Sequence, residues 1–247
     1  MPDNPSTSDQ PLTTPDEVLA MVEDSTEQLI RALEPLTDEQ AREPSLLPGW
    51  SRGHAVTHIA RNADALVNLL TWAKTGEEHQ MYPSPDARNA DIEAGSGRTA
   101  DELRADVAET HERFVAAAGE LSGAEWDHEI QWSGGWHPTT VVPIMRLTEV
   151  EVHHADLGLG HTPAHWPEPF VTKVLGRVAG DLAERSGLPP FSMHATDTGA
   201  TYALRDGSGS VISGPQTALL AWAIGRARGE GLTVEPPGDL PELGAWR

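Results

Sequence analysis

The sequence predicts a mainly α fold, a four-helix bundle at the N-terminal side followed by a small α+β domain. Between Thr14 and Leu157 the apolar residues recur every three or four positions, the period of a helix buried on one face. Ser or Thr stands before each such stretch, ready to cap its N-terminus. After Pro190 the texture changes to short Thr/Tyr/Val alternation broken by Gly, which is strand-like. The expected organisation is a disordered leader over 1–13, the bundle over 14–165 and the α+β domain over 166–247.

Each element has its own signal. Thr14-Pro15-Asp16-Glu17 is a capping box with Pro at the first helical position, and Val18, Val22, Leu29 and Leu33 form the stripe that follows. Pro35 stops it. Residues 43–49 (EPSLLPG) read as a loop. Ser51 caps the second helix, whose apolar side is Ala55, Ile59, Leu66 and Leu70, and Gly76 ends it. Residues 77–98 are polar and read as a long loop. Thr99 opens the third helix with Leu103, Val107, Phe114 and Ala118. Residues 122–138 hold three Trp, adjacent Gly residues and Pro138, so a loop or short hairpin is expected there. Thr139 or Thr140 caps the fourth helix, which runs to about Leu157. Phe170, Val174, Val178 and Leu182 make a fifth stripe. Strands and a hairpin around Asp206-Gly207-Ser208-Gly209 follow, and then a helix from Pro215 to Arg228 with Gly229 just past its end.

Composition excludes several functions. Lys and Arg total 17 against 38 Asp and Glu, a formal net charge of −21. Such a field repels phosphate backbones and anionic membrane surfaces, so neither nucleic acid nor membrane is an expected partner. There are 0 Cys residues, so disulfides, thiolate metal sites and any mechanism using the protein's own thiol are ruled out. The N-terminal residues lack a basic region and an apolar run, so no signal peptide is expected, and a cytoplasmic location follows. The unusual supply is 11 His.

One of them, His153, carries a spacing signal with a carboxylate. Glu149 and His153 lie four apart on the fourth helix and share a face with Val142, Met145 and Val152, pointing toward the bundle core. A buried carboxylate and imidazole are costly unless paired or bound to metal. One inward His from the second helix, where His58 lies one turn after His54, would complete a His₂Glu set. Three N/O ligands with an open fourth position is the pattern of catalytic zinc, and Fe²⁺ or Ni²⁺ would fit the same donors. His54, Glu151 and His154 compete as ligands; Glu151 and His154 are expected on the solvated side. His111 lies on the third helix's stripe and reads as a satisfied core residue. Arg226, in AWAIGRARG, reads from spacing as a cation in the last helical turn, favoured by the dipole.

The segments LLPGWSRGHAVTHIARNADAL, WAKTGEEHQMYPSPDARNADIEAGS, RLTEVEVHHADLGLG and WAIGRARG resemble the mycothiol-dependent maleylpyruvate isomerase family. The likeness runs from about Leu46 to Arg228. It is densest over 46–97 and elsewhere is shared with the broader DinB-like metal-binding bundles. It implies a DinB-like bundle followed by a domain similar to sterol carrier proteins. It implies His58, Glu149 and His153 as zinc ligands, and Arg226, with Arg88 as a second candidate, as residues of the catalytic pocket. The activity implied is cis–trans isomerisation of maleylpyruvate to fumarylpyruvate, with zinc and mycothiol as cofactors and a small dicarboxylate as substrate. A thiolate adds to the conjugated double bond, the resulting single bond rotates, and elimination returns the thiol. A Cys-free chain must take that thiol from a low-molecular-weight partner. A zinc-dependent mycothiol S-transferase would share the metal and thiol sites without needing a carboxylate clamp. A lipid or metabolite carrier would need an apolar tunnel that the C-terminal residues poorly supply. Arg226 is remote in sequence from the three ligands, so it is expected to matter for chemistry and not for metal retention.

Overall fold

The computed structural model describes residues 14–132, 135–244 and 246. The expected leader over 1–13 lies outside the described residues. Helices α1 (Pro15–Leu33), α3 (Arg52–Thr75), α5 (Ala100–Gly119) and α6 (Val141–Asp156) form the bundle, α3 packing on α5 and α6, and α1 on α6 and α5. Three caps are where the sequence puts them: Thr14 with Glu17, Thr99 with Glu102, and Ser51 with His54 in the role of the reaching side chain. The fourth is not: Thr140 precedes α6 but its side chain makes no capping hydrogen bond, and the Thr139 hydroxyl donates to the His128 carbonyl. Gly76 closes α3 at φ 75, a left-handed conformation that suits a residue without Cβ. The predicted stripe residues of α1 and α5 are all buried.

Two helices appear that were not expected, the second of them where a long loop was. Helix α2 (Asp38–Arg42) leads into α3, and α4 (Pro85–Ser96) occupies much of the 77–98 stretch. Ser84 caps α4 and Pro85 starts it, but Ile92 is its one buried apolar side chain, too little for a periodicity signal. Strands β1 (Glu129–Trp132) and β2 (Gly135–Pro138) form the short antiparallel hairpin.

In the C-terminal part, α7 (Glu168–Glu184) buries Phe170, Val174, Val178 and Leu182 as predicted. A four-stranded sheet follows, in the order β4 (Thr201–Leu204), β3 (Phe191–Ala195), β5 (Ser210–Gly214), β6 (Thr233–Glu235). The hairpin joins β3 and β4; β5 pairs parallel to β3 on its other side. Asp206-Gly207-Ser208-Gly209 is therefore a crossing, not a hairpin turn, and β6 comes from the tail. Helix α8 (Gln216–Ala223) is shorter than expected. Gly225 at φ 75 ends it, with Gly225 N–H donating to the Trp222 carbonyl and Arg226 N–H to that of Ala221, so Arg226 lies beyond the helix.

Candidate metal centre

Helix α3 presents His58 from its first half, and α6 presents Glu149 and His153 one turn apart on the facing side. His58 Nε2 lies 2.8 Å from Glu149 Oε2, and His153 Nε2 lies 3.3 Å from the same oxygen. The imidazole rings meet edge to face at 4.7 Å between centroids. The three ligand atoms fall within 4.8 Å of one another, and among the described residues no other trio of His, Asp or Glu does so. Trp50 packs edge-on against His58.

A second ring of polar groups orients these side chains. His153 Nδ1–H donates to Asp156 Oδ2 at 2.9 Å. Asp156 also accepts a fork from Arg226, Nε to Oδ1 at 3.1 Å and Nη2 to Oδ2 at 2.9 Å, while Arg226 Nη1 donates to the Ile224 carbonyl. Arg88 Nη2 lies 3.3 Å from His58 Nδ1. Asn62 accepts from Arg146, whose guanidinium is fully buried and also donates to the Ile59 carbonyl. Burial pushes the Arg146 pKa down to about 10.

Electrostatics sets the protonation pattern. Burial lowers the pKa of His58 by more than Glu149 raises it, so the ring is neutral. Its Nδ1 then accepts from Arg88 and its Nε2–H donates to Glu149. Burial would also lower His153, but Asp156 and Glu149 outweigh it and raise the pKa. Burial would raise Glu149, yet the hydrogen bonds from His153 and His58 hold its carboxyl well below the usual range. Asp156 is likewise lowered, burial being overcome by His153 and Arg226.

The trio lies in the wall of a cavity of about 900 Å³, whose lining includes Trp50, Trp72, Tyr82, Arg88, Trp132 and Arg226. Loop, bundle and C-terminal residues all contribute, so the cavity exists only in the assembled molecule.

The rival ligands lie elsewhere. His54 bonds to Ser51 and Glu93. Glu151 and His154, expected on the solvated side, are 2% and 4% exposed. Helix α6 is covered on both faces. Ser25 of α1 donates to Glu151, His161 bonds to its other oxygen, and the His154 and His161 rings stack at 3.9 Å. His161 carried no spacing signal. His111 Nδ1 is buried without a hydrogen-bond partner among the described residues, so it is not the satisfied core residue expected. Asp156 was missed, although its position three residues after His153 is a helical-neighbour spacing. Tyr82, in irregular chain, offered no signal.

Two family models match the chain. The model of the mycothiol maleylpyruvate isomerase N-terminal domain matches residues 22–158, and that of the MDMPI C-terminal domain matches 165–245. The chain belongs to the mycothiol-dependent maleylpyruvate isomerase family. Among solved structures, the crystal structure of the mycothiol-dependent maleylpyruvate isomerase is 32% identical, covers 94% of this chain and 97% of that one, and superposes with a TM-score of 0.87. A His-to-Ala variant of that isomerase gives 31% identity with the same coverage and TM-score. No curated protein sequence matches. Within this family the chain keeps the mainly α architecture with the small strand-containing C-terminal part.

Proposed function

We propose that this chain isomerises maleylpyruvate to fumarylpyruvate with mycothiol as the thiol, at a zinc ion held by His58, Glu149 and His153. The observation that carries the reading is the convergence of two imidazole nitrogens and a carboxylate oxygen on the wall of a cavity that also holds Arg88 and Arg226. The donor set suits zinc. Glu149 is ionised, and the Asp156 bond fixes the His153 tautomer so that Nε2 faces the other donors. Bound there, zinc supplies the Lewis acidity that lowers a thiol's pKa and keeps it a nucleophilic thiolate.

The chain's own residues do the rest. With His58 Nε2 given to the metal, the ring proton would sit on Nδ1, the atom that now accepts from Arg88. Arg88 would then be released from that contact and, as a lining residue of the cavity, would be available to a substrate carboxylate. Arg226 offers its remaining N–H groups to the same dianion, and the pair offsets locally the repulsion from a net charge of −21. Trp50, Trp72 and Trp132 keep water from the enolate that forms on addition, which strengthens each of these contacts. An S-transferase would use the same metal and thiol, but Arg88 and Arg226 in the cavity wall favour a dicarboxylate. The test measures maleylpyruvate turnover by thoroughly dialysed protein with and without mycothiol, and zinc content for His58→Ala and His153→Ala. Turnover should appear only with the thiol, and both variants should lose stoichiometric zinc. Full turnover in thiol-free buffer would sink the mechanism.

A further inference from the structure

We infer that Asp156 and Arg226 form a brace through which the C-terminal part of the chain sets the metal affinity of the bundle, Arg226 acting on His153 by way of Asp156. This rests on His58, Glu149 and His153 being metal ligands. Three observations carry it. Asp156 is 3% exposed at the end of α6 and accepts from His153 Nδ1, the contact that leaves Nε2 free to ligate. Both Asp156 oxygens receive the Arg226 fork, the planar, bidentate arrangement that fixes a carboxylate in position and keeps it ionised. Arg226 itself is held where α8 ends: its backbone N–H bonds to Ala221 and its Nη1 to the Ile224 carbonyl. The line Arg226–Asp156–His153 thus joins residue 226 to a ligand that is 73 positions away in sequence, and on this inference Arg226 is not independent of the metal as the sequence leads one to expect. Without Arg226, Asp156 loses both fork contacts and is free to rotate away from His153. Without Asp156, the His153 ring loses the partner that selects its tautomer.

Zinc affinity, read by competition with a chromophoric chelator, tests the brace for wild type, Asp156→Asn, Arg226→Met and the double variant. Asp156→Asn should weaken zinc by about 10–100-fold, the usual cost of losing a metal ligand's outer partner. Arg226→Met should weaken it by a smaller but measurable factor, with Arg226→Lys between it and wild type. In the Asp156→Asn background, Arg226→Met should add nothing, because its effect passes through that carboxylate. Wild-type affinity in Arg226→Met, or an equal loss with and without Asp156, would overturn the inference. Should the wild type bind no zinc, the ligand assignment itself fails. The imidazole ¹⁵N spectrum of the metal-free protein then judges the brace separately. Both single variants must shift the His153 Nδ1–H signal, and an unmoved signal in Arg226→Met refutes the link. This spectrum also serves if Asp156→Asn does not fold.

Discussion

His111, on α5, shows how a single half-buried group writes itself into stability. Burial, with Arg146 nearby, lowers its pKa from 6.5 to about 4. In the unfolded chain the same ring takes up a proton as pH falls below about 6.5, while the folded ring stays neutral to about pH 4. Between those values the unfolded state binds more protons, so stability rises with pH across the window, by less than the roughly 1.4 kcal/mol per pH unit of a fully buried group because solvent reaches part of this ring. Above 6.5 the contribution is complete, and below 4 it does not fall further. Replacing His111 by Leu removes both the titration and the unpartnered Nδ1. Thermal unfolding from pH 4 to pH 8 should therefore show a flatter profile for His111→Leu, with its largest gain over wild type near pH 4–5. Parallel profiles would show that His111 does not couple to folding.

Among the elements the sequence hid, α4 is the one that places Arg88. It is held against α3 by two glycines rather than by an apolar stripe. A Cβ on Gly53 would fall inside the van der Waals shell of the Ser96 carbonyl oxygen, and one on Gly95 would lie 2.5 Å from Thr57 Cγ2. Backbone at Ser96 cannot step aside as a flexible side chain can. Gly53→Ala should thus destabilise by about 1–3 kcal/mol through overpacking. It should also raise KM for the substrate by displacing α4 and Arg88. Gly180, within α7, is the opposite case, because a Cβ there meets nothing within 4 Å. Gly180→Ala should stabilise by about 0.5–1 kcal/mol from helix propensity alone. Urea titrations of both variants check the two signs together.

At the scale of the whole molecule, the bundle and the C-terminal part share one interior. A continuous apolar cluster runs from Val18 and Leu66 through Trp166 and Phe170 to Phe191 and Leu219. A smaller one, around Leu29, Ile59 and Leu103, fills the other end of the bundle. Neither part can unfold without exposing surface that the other covers, so calorimetry should record one transition for the chain. Leu182→Ala, at a fully buried position of α7, should cost about 2–5 kcal/mol and move that whole transition downward. Two resolved transitions, with only one moved by Leu182→Ala, would refute the shared core.

Periodicity located the four bundle helices and capping marked the start of three of them, because an apolar face and a Ser or Thr cap are local properties written within one element. The i, i+4 spacing also put Glu149 and His153 on one face. His58 as the third member of that cluster, Arg226 behind Asp156, and the burial of Glu151 beneath Ser25 and His161 were decided by contacts between residues up to 126 positions apart. The parallel pairing of β3 with β5 and the position of Arg226 past the end of α8 belong to the same class. Sequence spacing reports which residues share a helix face, whereas a cavity wall depends on how several faces meet. Packing settles that, because each element hides its apolar side against whichever neighbour the rest of the chain brings to it.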